Sequence, residues 1–200
     1  MRNNRKEILN ESYEYVKDIF KSHYNSNFSY HNLEHTQLVN KNAILIANSY
    51  SSLSENDIFN LEIATLFHDI AFYKGQDTHE IKSVEIAKEF LINKGLDNDH
   101  INAIKNLILA TKIGTSANNV LEEIIQDADL SHLGIKGYEN TYFHYLFYEM
   151  NQFSDESISL LKWSKISIPF MENHKYKTQY AIENFNSQKL KNITILKKLY

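Results

Sequence analysis

The stretch Ile63-Ala64-Thr65-Leu66-Phe67-His68-Asp69-Ile70 is an apolar run that ends in two adjacent ligand-type side chains. Neighbours on a helix point about 100° apart, so two adjacent side chains can straddle one ion lying over the helix surface. Burying a His and an Asp at the end of an apolar run costs free energy unless something compensates, and a metal ion would compensate both. For a lone His-Asp dipeptide, an N-cap or a surface pair is the plain alternative. This dipeptide has company. His35 closes Tyr30-His31-Asn32-Leu33-Glu34-His35 upstream, and Asp127-Ala128-Asp129-Leu130 follows the apolar Ile124-Ile125 downstream. Two His and two Asp supply nitrogen and oxygen donors and leave coordination positions open. That set suits Mn, Fe, Co, Ni, Zn or Mg, and open positions suit catalysis more than structure.

The elements that must position these residues are helical. Ile8, Tyr15 and Ile19 mark a helix over 7–20, and Asn32 is a plausible N-cap for one over 33–50. Ser54 caps a third that runs to His68-Asp69. Val84, Ala87, Phe90 and Leu91 recur at helical spacing over 83–94, as do Ile104, Leu107, Ile108 and Ala110 over 101–113. Further helices are expected over 127–133, 139–150 and 157–173, with a kink or an end near Pro169. A closing helix over 177–200 carries Ile182, Leu190, Ile193, Leu196 and Leu199. The glycines fall where helices should stop. No segment alternates apolar and polar residues, so the expected fold class is all-α: one domain over residues 1–200, a bundle of about eight to nine helices.

The composition narrows the chemistry further. With no Cys among 200 residues, thiolate zinc, iron–sulfur clusters, disulfides and a Cys nucleophile are excluded. A net charge of −4 argues against a nucleic-acid polymer as partner. Residues 1–8 are polar and charged, and no apolar run approaches the roughly 20 residues of a membrane span. A cytoplasmic location and no membrane partner are therefore expected.

His35, His68-Asp69 and Asp129 together resemble the H…HD…D signature of the HD superfamily of metal-dependent phosphohydrolases. Tyr30-His31-Asn32-Leu33-Glu34-His35 resembles a Y-H-N-x-x-H subgroup, and Leu66 to Ile70 its ligand helix. His79-Glu80 with Ser83 and Ala87, Leu109-Ala110-Thr111-Lys112, Asp127 to Gly134, and His174-x-Tyr176-x-Thr178 resemble further motifs of that group. These span about residues 30 to 180. The resemblance implies a helical bundle whose metal ligands are His35, His68, Asp69 and Asp129. It also implies hydrolysis of a small phosphorylated substrate, a nucleotide among the candidates, by metal-activated water. Lys112 would contact substrate phosphate as a point charge, or else is a solvated helix-end Lys. Some members carry an acidic residue shortly after the HD pair, where this chain has Phe72, Tyr73 and Lys74; Glu80, then Asp77, is the substitute base. His31 and His79 are near-site candidates. Diiron oxygenases of the same fold add two His, of which His79 would be one, while Ala110-Thr111-Lys112 stands at the other place. A nucleotide-binding module without turnover is the third reading. His174 stays open, and His23, His100, His132 and His144 are expected to be surface or hydrogen-bonded structural residues.

Overall fold

The computed structural model describes residues 2–154 and 156–200, with side chains from Arg5 onward. Among the described residues every regular element is a helix, so the chain is all-α, and no helix is long and apolar enough to cross a membrane. The helices are α1 (Arg2–His23), α2 (Leu33–Ala47), α3 (Glu55–Phe67), α4 (His79–Asn93), α5 (Asn98–Ala110), α6 (Val120–Asp129), α7 (Tyr142–Phe153) and α8 (Leu160–Asn173). A last helical stretch over 179–199, α9, contains a π-helical turn at Ile182–Asn186. The described residues group into two compact units. One comprises the chain up to Asn25 together with His31–Asp129, the other Ser26–Tyr30 together with Leu130–Tyr200.

The first unit is built around α3. That helix starts at a capping box in which Ser54 and Asp57 each accept from the other's backbone N–H, a device that stabilises a helix start by about 1 kcal/mol. Phe59, Leu61, Ile63, Ala64, Leu66 and Phe67 are all buried. These residues cover more than one face, so α3 has to lie inside, and it packs against α1, α2 and α5. On α2 the buried stripe is His35, Val39, Ala43 and Ile46–Ala47, and α2 lies against α3 and α6. The start of α6 lies seven residues before the expected one. Glu122 N donates to Asn119 Oδ1 at 3.0 Å, and Asn118 N donates to Glu122 Oε2 at 2.7 Å, so two Asn supply the start signal. After Asp129 the α-helix gives way to the 3₁₀ turn Leu130–Gly134.

The second unit has its own core of Leu133, Tyr138, Phe143, Trp163, Met171, Ile193 and Leu196. Trp163 Nε1 donates to Phe143 O at 3.0 Å, satisfying the one polar atom of a buried indole. Helix α8 continues past Pro169 to Asn173, and His174 is extended. Of the five apolar residues named for α9, Ile193 and Leu196 are buried together with Lys189 and Asn192, whereas Ile182, Leu190 and Leu199 are exposed. The π turn adds a residue and rephases the helix, so the inner face follows 189, 192, 193 and 196. Its polar members are satisfied locally. Asn192 Nδ2 donates to Leu133 O and Ile135 O, both at 2.8 Å, and Lys189 Nζ donates to His174 O at 2.5 Å.

The same π turn explains Gly134. A Cβ on residue 134 would lie 2.5 Å from Phe185 O and 2.6 Å from Phe185 Cβ, contacts that force one backbone away from the other. Gly134→Ala is expected to destabilise the protein by roughly 1–3 kcal/mol, the usual cost of overpacking. Denaturant unfolding checks this, and an unchanged midpoint would show that the approach is not tight.

Candidate metal centre

Three of the four ligand-type residues extend apolar stripes. His35 lies one turn before Val39 on α2, His68 one turn after Ala64 on α3, and Asp129 one turn after Ile125 on α6. The packing that buries those stripes therefore carries the polar ends to one place. His35 Nε2 lies 3.2 Å from Asp129 Oδ1 and 3.4 Å from Asp69 Oδ2. His68 Nε2 lies 3.1 Å from Asp69 Oδ2 and 3.6 Å from Asp129 Oδ1. One donor atom from each residue lies within 4.8 Å of all the others, a group that could hold a metal ion.

The donor set fits such an ion. Ligands about 2.1 Å from a common centre sit roughly 3.0–3.5 Å apart at neighbouring positions, close to the spacings found. His68 is aimed by its backbone: Nδ1–H donates to Thr65 O at 2.7 Å, which leaves Nε2 as the ligand atom. That Nε2 is buried and has no hydrogen-bond partner of good geometry. His35 is held at the start of α2, where its N–H donates to the Asn32 N-cap at 3.0 Å. Both imidazoles and Asp69 are buried, and Asp129 is nearly so.

The charges respond as a set. Burial pulls the His35 imidazole down, but its contacts with Asp129 and Asp69 outweigh that and raise its pKa. His68 is raised well above its ordinary value for the same reason, burial being outweighed chiefly by the Asp69 charge. Burial pushes Asp69 and Asp129 up, while the imidazoles pull both below the usual carboxylate range.

The near-site residues sort clearly. His79 Nδ1–H donates to Gln76 O at 2.6 Å, which turns Nε2 toward Asp69 Oδ1 at 3.2 Å and Glu80 Oε1 at 3.6 Å. Asp69 thus uses Oδ2 toward His35 and His68 and Oδ1 toward His79. Glu80 is buried at the start of α4, whereas Asp77 is exposed. His31 lies before the Asn32 cap, off the helix, with Nε2 4.0 Å from Asp69 Oδ2 and its ring stacked on Phe72 at 3.6 Å. Lys112 lies beyond the end of α5 with an exposed side chain, and among the described residues it forms no ion pair with the four.

The other histidines lie elsewhere. His100 Nδ1–H donates to Asn60 Oδ1 at 2.6 Å, His132 shares a hydrogen bond with Tyr30 Oη at 2.9 Å, and His23 stacks on Tyr73. His144 is half-buried on α7. His174 is half-buried in the second unit, where burial, then the Lys189 and Lys177 charges, lower its pKa to about 4. Sequence reasoning missed Tyr24, whose Oη donates to Asp69 O at 2.8 Å. An aromatic near the end of an amphipathic helix carries no signal for such a contact.

A family model described as an HD domain matches residues 32–133. No curated protein and no solved structure matches the chain.

The raised imidazole pKa values make metal binding a competition with protons. Without an ion, the contacts with Asp69 and Asp129 favour the protonated forms of His35 and His68, whereas a cation needs both in neutral form. Mn²⁺ affinity is therefore expected to strengthen as pH rises from 6 to 8, with protons released on binding. Calorimetric titration in buffers of different ionisation enthalpy checks both points, and His68→Ala should abolish the binding. An affinity independent of pH would mean that the ion binds elsewhere.

Proposed function

The chain belongs to the HD domain family, and from that membership we propose that it is a metal-dependent phosphohydrolase acting on a small phosphorylated molecule, with nucleotides the first class to test. The observation that carries this reading is the buried His35–His68–Asp69–Asp129 cluster, four donors within 4.8 Å of one another. In this reading those four hold one divalent cation from the set Mn, Fe, Co, Ni, Zn and Mg. The ion, when bound, polarises a phosphoryl oxygen and lowers the pKa of a water bound beside it.

The chain's own residues do the rest. Glu80, buried and in reach of His79, serves as the base that takes a proton from the attacking water. His79 is held by Gln76 O and keeps Asp69 Oδ1 oriented, so the carboxylate cannot turn away from the cluster. His31, stacked on Phe72 and partly exposed, offers a donor to a phosphoryl oxygen at the edge of the site. Lys112, exposed beyond the end of α5, supplies a positive charge for substrate phosphate. Residues 1–200 act as one HD-type domain in this reading.

Metal-loaded protein is expected to release phosphate or a phosphomonoester from at least one member of a nucleotide and phosphoester panel, and Asp69→Ala should abolish it. Tight nucleotide binding without release would point to a regulatory module, and no release across the panel overturns the hydrolase reading.

One observation favours a second reading, a diiron oxygenase. Asp69 Oδ1, His79 Nε2 and Glu80 Oε1 lie on the far side of the carboxylate from the four-residue cluster, so Asp69 could serve two ions. That reading expects two irons per chain after anaerobic loading, falling to one in His79→Ala. A count of one in the wild-type chain removes it.

A further inference from the structure

We infer that Tyr24 is a positioning residue for Asp69: its hydroxyl locks the turn over residues 69–74 that carries this carboxylate. The inference rests on the metal-centre reading above. Tyr24 follows the last residue of α1 and belongs to none of the motifs in the sequence.

The need for a lock follows from the backbone. Beyond Phe67 the chain leaves the regular α-helical ladder. Ile70 N donates to Phe67 O at 3.2 Å, Phe72 N to Asp69 O at 3.0 Å, and Lys74 N to Ala71 O at 2.9 Å. Each spans three residues, and such turns hold their geometry less firmly than an α-helix. Asp69 cannot tolerate that looseness. Its two carboxylate oxygens face different partners, Oδ2 toward His35 and His68 and Oδ1 toward His79. A small rotation of its backbone would spoil both sets of contacts together.

Tyr24 reaches this turn from α1. Its Oη donates to Asp69 O at 2.8 Å and accepts from Tyr73 N at 3.4 Å, so one hydroxyl ties both ends of the turn. The ring is itself fixed, against Phe20 at 4.4 Å and edge-on to Tyr73 at 5.5 Å between ring centres. On the other side Ser83 Oγ accepts from Ala71 N at 3.1 Å. The turn is thus held from α1 and from α4. It also carries Phe72, on which His31 stacks, so the lock reaches the edge of the site as well as its ligand.

Tyr24→Phe removes the hydroxyl and keeps the ring. We expect Mn²⁺ affinity to fall about tenfold, the scale seen when a residue supporting a metal ligand is lost. The visible absorption bands of the Co²⁺-loaded protein should shift, and amide exchange in the segment 69–75 of the metal-free protein should quicken, with helical circular dichroism unchanged. Leu196→Val, a cavity-forming change in the separate core of the second unit, is the comparison. It should lower the melting temperature and leave Mn²⁺ affinity and the Co²⁺ spectrum as in the wild type. Wild-type affinity and spectrum in Tyr24→Phe overturn the inference, and so does an equal loss in Leu196→Val. A wild-type chain that binds no metal overturns the metal-centre reading instead, and the exchange measurement then reads the lock alone. Should Tyr24→Phe not fold, exchange of the Tyr73 amide in the wild type decides: slow exchange supports the lock, and exchange as fast as an open loop overturns it.

Discussion

Two imidazoles and two carboxylates, packed at 3.1–3.6 Å with little access to water, set the terms for the first unit. Buried charge is tolerated only when it is balanced. This cluster can be balanced in two ways. Two protonated imidazoles neutralise two carboxylates, or one divalent cation does so with both imidazoles neutral. The raised His pKa values and lowered Asp pKa values express the first balance. Exchanging two protons for one divalent ion leaves the net charge of the cluster unchanged. A site that keeps its charge through that exchange can be formed by folding alone and filled later, so the surrounding helices need not wait for the ion to pack.

The helices meet that demand by extending their apolar stripes by one turn. On α2, α3 and α6 the residue one turn before or after a buried aliphatic is His35, His68 or Asp129. Hydrophobic burial, which acts over the whole stripe, thereby fixes the position of a polar side chain at its end. Asp69 has no stripe of its own. It follows the C-cap of α3 in a tightening turn, and its direction has to come from hydrogen bonds. That difference explains why Tyr24, Ser83 and His79 gather around residues 69–71, whereas the His68 ring is oriented by its bond to Thr65 O.

This difference also separates what could be read in the sequence from what could not. His68-Asp69 and Asp129 stood out because apolar runs lead into them, His35 and the four as one ligand set came from the resemblance to the HD signature, and Asn32 and Ser54 were legible as caps because capping is local in sequence. His79 and Glu80 were legible by motif as near-site residues, though not the way Asp69 divides its oxygens between His79 and the cluster. Tyr24 was not legible, because its partner is a backbone carbonyl 45 residues away. The inner face of α9 was not legible for another reason. The π turn at 182–186 rephases the helix, and half of the buried face is polar, Lys189 and Asn192, so the five apolar residues of this stretch divide between the inside, Ile193 and Leu196, and the surface, Ile182, Leu190 and Leu199. Gly134 showed as a helix breaker and as the end of a motif, not as a tight contact, because the close approach of Phe185 is a tertiary fact.

The proton-or-ion logic extends to the far oxygen of Asp69. With Nδ1–H of His79 donated to Gln76 O, the other ring nitrogen faces Asp69 Oδ1 at 3.2 Å and Glu80 Oε1 at 3.6 Å. A neutral imidazole would then present a lone pair to two carboxylates, which is repulsive. Something positive belongs between them. A proton on Nε2 satisfies the arrangement, and the raised pKa of His79, where the bond to Asp69 outweighs burial, is the electrostatic form of that statement. A cation would satisfy it equally. The two sides of Asp69 differ in what else they offer. The Oδ2 side gathers two imidazoles and a second Asp, whereas the Oδ1 side has one imidazole and Glu80. With fewer nitrogen donors, the Oδ1 side holds a cation less strongly and a proton comparably well. The Oδ2 side is therefore the one that would hold a first ion, and the His79 N–H would hold Oδ1, so that Asp69 would be fixed from both oxygens.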